Sequence, residues 1–464
     1  MTIDILPGEA LLEIFSFYLH EASKHIEPWL PLVHVCRRWR SIVFASPRHL
    51  DIQIFYTPET RIKVLLDIWP NLPIHISAHG YKASRWHGEN DLIAALDHTD
   101  RICQIQLKGF LSSEFQRILP AMQKPFPALT SLDIDCSNDN FLDTMAILPE
   151  AFLGGSPQHL RSCNLSAVEF PGIWKLLSAA NHLVTLRLWY IPHSMYTSPE
   201  GMATCLSTMP NLESLSIFFR PPESLHNLPD QPNRPLSPLA RVVLPSLTEF
   251  RFKVMSEYIE DFVSRIDVPL LDKVHINFFD LFFDRPIFDV PRLHDFLARV
   301  ENFKAYSRGA VEFWGYTIEF ELELGFLTFG IPCEELDQQV TSMAQLCGSS
   351  LPLPSALKRL DIREGVPLVM GQQDRLGETQ WLDLLHPFTG LSDLHLGKRV
   401  AIHYALALRE LAGERVTEVL PALQNIFVQG LEPSGPTQEA LGQFVAARQL
   451  AGLPVVVHSW DGRS

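Results

Sequence analysis

No two of the seven cysteines, at positions 36, 103, 136, 163, 205, 333 and 347, form a C-x-x-C pair. Without that spacing a cysteine zinc site or a thioredoxin-like redox centre has no local framework. Scattered thiols inside apolar runs fit buried, reduced cysteines in the cytoplasm or nucleus. Bases are scarce as well: 38 Lys and Arg stand against 53 Asp and Glu, a net charge of −15. Such a chain repels a phosphate backbone, which argues against nucleic acid as a partner. No apolar stretch reaches the ~18 residues that suggest a membrane span. The opening MTIDILPGEA has acids where a secretory signal needs bases. Asn164-Leu165-Ser166 therefore matches a glycosylation sequon without a secretory context. No membrane association is expected.

Chemical motifs are missing too. Gly390 and Gly397-Lys398 are too far apart for a P-loop, and no Ser or Thr follows the Lys. There is no G-x-S-x-G elbow and no dinucleotide fingerprint. The 18 His are dispersed. His20-Glu21 and His25 approach a zincin motif, but histidines five apart lie roughly 140° from each other on a helix. Glu319, Glu321 and Glu323 read as a solvated strand face in preference to a cation site. No catalytic residue, metal or cofactor is expected, and the chain is not read as an enzyme.

What is present is bulk and pattern. With 464 residues, 46% of them hydrophobic, the chain exceeds one ordinary domain, so it holds several domains or a repeat array. In residues 1–50 acids and bases cancel, so the whole negative charge belongs to residues 51–464. LPGEALLEIFSFYL (6–19) opens with a first-turn proline and acids at the favourable helix end. Leu11, Leu12, Ile14, Phe15, Tyr18 and Leu19 then recur at helical spacing. More than half the circumference is apolar, so one face needs a partner. After prolines at 28 and 31, LVHVCRRWRSIVF predicts a second helix with Leu32, Val35, Cys36, Trp39, Ile42 and Val43 on one face. Cys36 is then packing and no metal ligand, and Arg37, Arg38 and Arg40 form a solvated face.

Leu6-Pro7, Glu9, Leu12, Ile14-Phe15 and Leu19, then Val35-Cys36-Arg37-Arg38-Trp39 and Ser46-Pro47, resemble an F-box, in particular those of F-box-like proteins of basidiomycete fungi. The stretch from His20 to Pro31 is longer than in many members, and the Trp that often follows Ser-Pro is replaced by His49 or Leu50. The resemblance covers about the first tenth of the chain. It implies a three-helix domain over 1–50 that docks on a Skp1-like adaptor and through it on a cullin–RING ligase. Leu6, Pro7, Ile14 and Phe15 are where the motif matches, and they are the expected Skp1-binding residues.

Downstream, one phrase recurs: (Pro/Asn)-x-Leu-x-x-Leu-x-(Leu/Ile). Copies include PALTSLDID (127–135), NHLVTLRLW (181–189), PNLESLSIF (210–218), PSLTEFRFK (245–253), PLLDKVHIN (269–277), SALKRLDIR (355–363), GLSDLHLGK (390–398) and PALQNIFVQ (421–429). Amphipathic helical stretches such as 258–267 separate them. Residues 51–464 therefore read as an irregular leucine-rich-repeat solenoid of strand–helix units, parallel strands on the concave side and helices on the convex. The earliest strand is placed at LDIQI (50–54), packed against the F-box without a flexible linker. The asparagine that usually follows the last apolar position is absent. The phase breaks around 278–354, where YTIEFELEL (316–324) alternates strictly and is expected to pair with the run near Val311 and Phe313 as a hairpin. Residues 220–238 and 364–377 read as long loops.

Side chains alternate along a strand, so the residues between the leucines face outward. That singles out Trp189 and Phe218 as an aromatic pair, followed by Arg251, Lys253, Lys273 and His275. These six are the expected target-binding residues, suited to an acidic or phosphorylated protein segment. The plainer reading is a solvated basic face with the aromatics covered by loop 220–238. The fold class is thus α/β, a three-helix F-box followed by the solenoid. The expected function is substrate recognition in an SCF-type ubiquitin ligase acting in ubiquitin-dependent degradation, for an unknown protein target. The alternative is a leucine-rich-repeat interaction scaffold outside any ligase, and a hydrolase on an α/β scaffold is a distant third.

Overall fold

The structure is a computed structural model. It describes the chain except residues 1–5, 22–27, 48, 58–65, 67–70, 81–88, 138–144, 156, 222–240, 280–289, 324, 334–335, 349–354, 366–377, 412 and 462–464. The expected loops at 220–238 and 364–377, His25 and Leu324 therefore lie wholly or largely outside the described residues. Two compact units emerge: residues 1–196 with 208–212, and residues 197–207 with 213–464.

The first unit opens with helices α1 (Gly8–Glu21), α2 (Leu30–Val35) and α3 (Arg37–Ala45). Leu11, Phe15 and Leu19 recur every fourth residue on α1 and are buried, as the helical repeat dictates. Phe15 packs on Trp39 with ring centroids 4.7 Å apart. The continuous helix expected over 32–43 is broken. Cys36 is extended (φ −158°, ψ 169°), ends α2 and caps α3, its Sγ accepting from the Trp39 backbone N–H at 3.5 Å. Cys36 is thus a cap, as a small polar acceptor at an N-terminus should be, and the shared apolar face does not exist: Val35 is exposed. Nor are the arginines simply solvated. Arg38 donates to the Leu6 carbonyl and Arg40 to the Val33 carbonyl. Both tie the helices together.

Four of the six main strands of this unit follow the repeat phrase or a weaker copy of it, at residues 100–108, 127–135, 158–166 and 181–189. The six are β1 (Ile54–Tyr56), β2 (Ile74–His79), β3 (Ile102–Lys108), β4 (Ser131–Asp135), β6 (Ser162–Ser166) and β8 (Thr185–Ile191), with β5 (Ala146–Ile147) and β7 (Val168–Glu169) forming a separate two-residue pair. The order β1-β2-β3-β4-β6-β8 is parallel throughout. The first strand begins at Ile54 and not at Leu50, because Asp51 takes a left-handed turn (φ 47°). Trp29, buried between the helices and the first repeat, donates its indole N–H to the Gln53 carbonyl at 3.0 Å. The helical module and the first strands therefore share one core.

The second unit contains β9 (Ser214–Phe219), β11 (Glu249–Val254), β13 (Lys273–Phe278), β14 (Arg308–Trp314), β15 (Thr317–Leu322), β16 (Leu327–Pro332), β17 (Arg359–Glu364), β18 (Asp393–Leu396), β19 (Asn425–Gln429) and β20 (Val456–Trp460), with β10 (Val242–Val243) and β12 (Ile266–Asp267) as a minor pair. Their order is β9-β11-β13-β16-β15-β14-β17-β18-β19-β20. All neighbours are parallel except β15, which runs against both β14 and β16. The expected hairpin is present, with Val311 opposite Phe320 and Phe313 opposite Ile318. It has a third strand that the sequence pattern did not reveal: β16 returns to pair with β13.

A backbone device replaces the missing asparagines. The carbonyl of one residue just before a strand accepts two consecutive N–H groups from the next repeat. Thr130, Arg161, Glu213, Thr248, Ser307, Lys358 and Ser392 all do this. Hydroxyls at the same position reach back: Thr130 to Cys103 O, Thr248 to Glu213 O and Ser392 to Lys358 O, at 3.0–3.1 Å. The mixed α/β architecture, with long parallel sheets after an N-terminal helical module, is as the repeat pattern implies.

Candidate functional site

Two surfaces stand out, one on each unit. On α1 the inward residues leave Ile14, Phe17 and Tyr18 outside, 46%, 68% and 40% exposed. At i, i+3 and i+4 they are neighbours on one helix face. Val35 of α2 is also exposed. Of the four residues singled out from the motif, Ile14 and Pro7 lie at the surface and Leu6 is half-buried. Phe15 is fully buried. It shapes the module from inside and offers no atom to a partner. Phe17 was not singled out, because apolar residues cover so much of α1 that the inward stripe and the outward patch merge in the sequence. The cap at Cys36, which the pattern hid, is what turns Val35 outward.

On the second unit, strand alternation works as expected. Leu215, Ile217, Phe250, Phe252, Val274 and Ile276 are buried. Phe250 and Phe252 pack on Phe262 of the helix Ser256–Ser264. The opposite face carries the candidate residues. Arg251 lies between Ser216 and His275, and Lys253 between Phe218 and Asn277. Lys273 is the neighbour of Glu249. Arg251, Lys253, Lys273, His275 and Phe218 thus form one strip over three adjacent strands. Trp189 sits half-buried on β8 of the other unit. The strip is less basic than its sequence: Glu249 pairs with Arg251 at 2.6 Å and accepts from Ser214 at 2.8 Å. Burial works to raise the Glu249 carboxyl, but the Ser214 and Arg251 bonds and the positive charges of Arg251 and Lys273 hold it below the ordinary range. The His275 imidazole is pushed down, by burial first and by Arg251 second, so it is neutral at pH 7.

Further along the same face, Asp361 of β17 is fully buried and accepts from Arg308, Arg359 and Arg363 at 2.9–3.0 Å. His395 stacks on Phe427 with centroids 4.3 Å apart, and burial lowers its pKa to about 4. The His395 Nδ1 lies 3.7 Å from the Asp361 carboxylate. In the first unit an open groove of about 1270 Å³ runs past Gln53, Cys103, Thr130, Arg161 and His182. Burial pushes Cys103 and Cys205 up to about 11, and Cys136, Cys163 and Cys347 up to about 12. These thiols are no nucleophiles at neutral pH. Among the described residues no three His, Cys, Asp or Glu side chains converge as metal ligands, and no helix is long and apolar enough to cross a membrane.

Comparison with known proteins adds a family match for one end of the chain. Residues 3–50 match the F-box-like family model. That segment holds all three helices and the exposed patch of α1. No curated protein matches. Among solved structures, the chain aligns with the crystal structure of the leucine-rich repeat-containing protein LegL7 from Legionella pneumophila. That alignment has 12% identity, covers 87% of this chain and 99% of that one, and has a TM-score of 0.25, too low to bear on the architecture described above.

Proposed function

We propose that this chain is the substrate-recognition subunit of an SCF-type ubiquitin ligase. One observation carries the reading: a segment matching the F-box-like family presents a solvent-exposed apolar patch, Ile14, Phe17 and Tyr18, that its own fold does not cover. A Skp1-like adaptor takes that patch, with Pro7 and Leu6 at its edge, and a cullin–RING assembly follows from the adaptor. The polar face of the second unit holds a protein target through the strip of Arg251, Lys253, Lys273, His275 and Phe218. Three bases against one acid favour an acidic or phosphorylated target segment. The chain supplies proximity, raising the effective concentration of target lysines near the charged carrier enzyme, and transfer chemistry belongs to the partners. Cytoplasm or nucleus, where reduced thiols persist, is the compartment that fits.

The test is adaptor capture. A double variant Ile14→Asp, Phe17→Asp should lose a Skp1-like adaptor in a pull-down while its circular dichroism and melting temperature stay those of the wild type. Both residues point outward, so folding is not at stake. Full adaptor retention by a folded variant would defeat the ligase reading and leave an interaction scaffold outside any ligase.

A further inference from the structure

The polar face of the second unit carries a second charge feature beside the basic strip. Glu312 of β14 and Glu319 of β15 are direct antiparallel partners, and Glu321 follows on the same face of β15. Like charges directly opposite each other destabilise a sheet. Arg363 of β17 is the partner of Glu312 on its other side, but its guanidinium, like those of Arg308 and Arg359, is ion-paired to the buried Asp361, and no arginine ion-paired to these glutamates stands among the described residues. Burial, then the charge of Glu312, holds the carboxyls of Glu319 and Glu321 above their ordinary range, against a bond from Trp314 at Glu319 and the positive charges of Arg363 and Arg308 at Glu321.

The next two strands, β16 and β13, add polar oxygens. Gly330 of β16 sits opposite Glu319, and Thr328 sits opposite Glu321. The Asn277 amide oxygen occupies the space a side chain at Gly330 would fill, and that spot is 3.8 Å from Glu319 Oε1. Asn277 Oδ1 is buried and accepts no hydrogen bond. Thr328 is 8% exposed. Trp314 lies two residues beyond Glu312 on the same face, its ring flat against Gly365. Carboxylates, an amide oxygen, a hydroxyl and an indole together suit a donor-rich organic cation. The carboxylates do not converge on a metal.

We propose that Glu312, Glu319 and Glu321, with Asn277 Oδ1 and Thr328 beside them, receive an arginine or lysine side chain of the protein segment bound on this face. The assignment rests on the reading of the face as a target site. It adds a charge order to that target. β15 lies two strand steps from β13 and three from β11, about 10–15 Å at ~4.8 Å per step, which an extended segment covers in about three to five residues at ~3.3 Å each. The target thus places acid over the basic strip and a base about three to five residues away.

The experiment uses the full chain and synthetic peptides with an Asp-Asp pair separated from one Arg by Gly-Ser spacers of that range, each with a matched peptide in which Gln replaces the Arg. Wild type should bind the Arg peptide of the matching spacing at least tenfold more tightly than its Gln counterpart. In Glu312→Gln, Glu319→Gln that preference should vanish, with the Gln peptide bound as before and the melting temperature equal or higher, since repulsion is removed. No difference between Arg and Gln peptides on wild type, through equal binding or none, overturns the proposal. So does a preference that survives in the variant. Binding of spermidine alone that the variant abolishes, without any peptide preference, would make the patch a polyamine site and overturn the peptide assignment. Separately, if Arg251→Glu, Lys253→Glu leaves every peptide affinity unchanged, the target-face reading fails, whatever the glutamates do.

Discussion

Two phenylalanines on one helix, Phe15 and Phe17, separate folding from docking. Phe15→Ala removes a fully buried ring packed on Trp39 and should cost about 3–5 kcal/mol, read as a lower denaturant midpoint. Phe17→Asp should leave that midpoint in place and lose the adaptor. Asp361 offers a pH-dependent counterpart. Burial works to raise its carboxyl, but bonds from Arg308 and Arg359 and the charges of Arg359 and Arg363 hold it below the usual range. A carboxyl whose pKa is lower folded than unfolded contributes stability above its unfolded value, ~3.9, and that contribution disappears as pH falls through the folded value. Asp361→Asn should cost about 2–3 kcal/mol at pH 7, less than a fully enclosed pair because water reaches the arginines. Urea titrations should show wild type and variant drawing together as pH falls below the unfolded carboxyl value. A gap that stays equal from pH 7 down through the whole acid limb would place the effect in packing and not in charge.

The strand starts hold the repeats in register through Thr130, Thr248 and Ser392, each bonded to the carbonyl one repeat back. Thr248→Val keeps the shape and deletes the bond, so a loss of about 1 kcal/mol is expected, measured by chemical denaturation. Neighbouring Ser or Thr positions should behave alike, and a neutral Thr248→Val would reduce the hydroxyls to bystanders. The strip on β11 and β13 has its own test. Reversing Arg251 alone also strands Glu249 beside a new like charge, whereas Lys253 has no such partner across the strand. Lys253→Glu should therefore weaken capture of an acidic target by tenfold or more with little change in melting temperature, and Arg251→Glu should lower both.

At the scale of the molecule, strands and their inward leucines were readable because alternation is a property of the backbone, repeated in each copy from Leu132 to Ile426. The outward set of Arg251, Lys253, Lys273 and His275 followed from the same phase. What stayed hidden depends on contacts between distant residues. The cap at Cys36 splits one apolar pattern into two helices, and periodicity does not register a single extended residue. Phe15 and Ile14 look alike in a motif, yet one faces Trp39 and the other water. Glu249 cancels a base that sequence reading took at face value, because the pair forms two residues apart on one strand. The third hairpin strand, Leu327–Pro332, is buried along nearly its whole length and has no charged residue on either face, only Thr328, Gly330 and Pro332 on the outer one, and so lacks the alternation that exposed β15.

That third strand also has a consequence for synthesis. Most main strands of the second unit join beside a strand made earlier, so the sheet can lengthen as the chain emerges from the ribosome. β14 is made before β16, yet its seat is separated from β13 by both β15 and β16. Until Pro332 has emerged, Arg308–Trp314 has no completed edge to join, and its apolar face must wait, exposed or held by a chaperone. Translational pausing within this stretch would serve the nascent chain badly, and pausing just after it would serve it well.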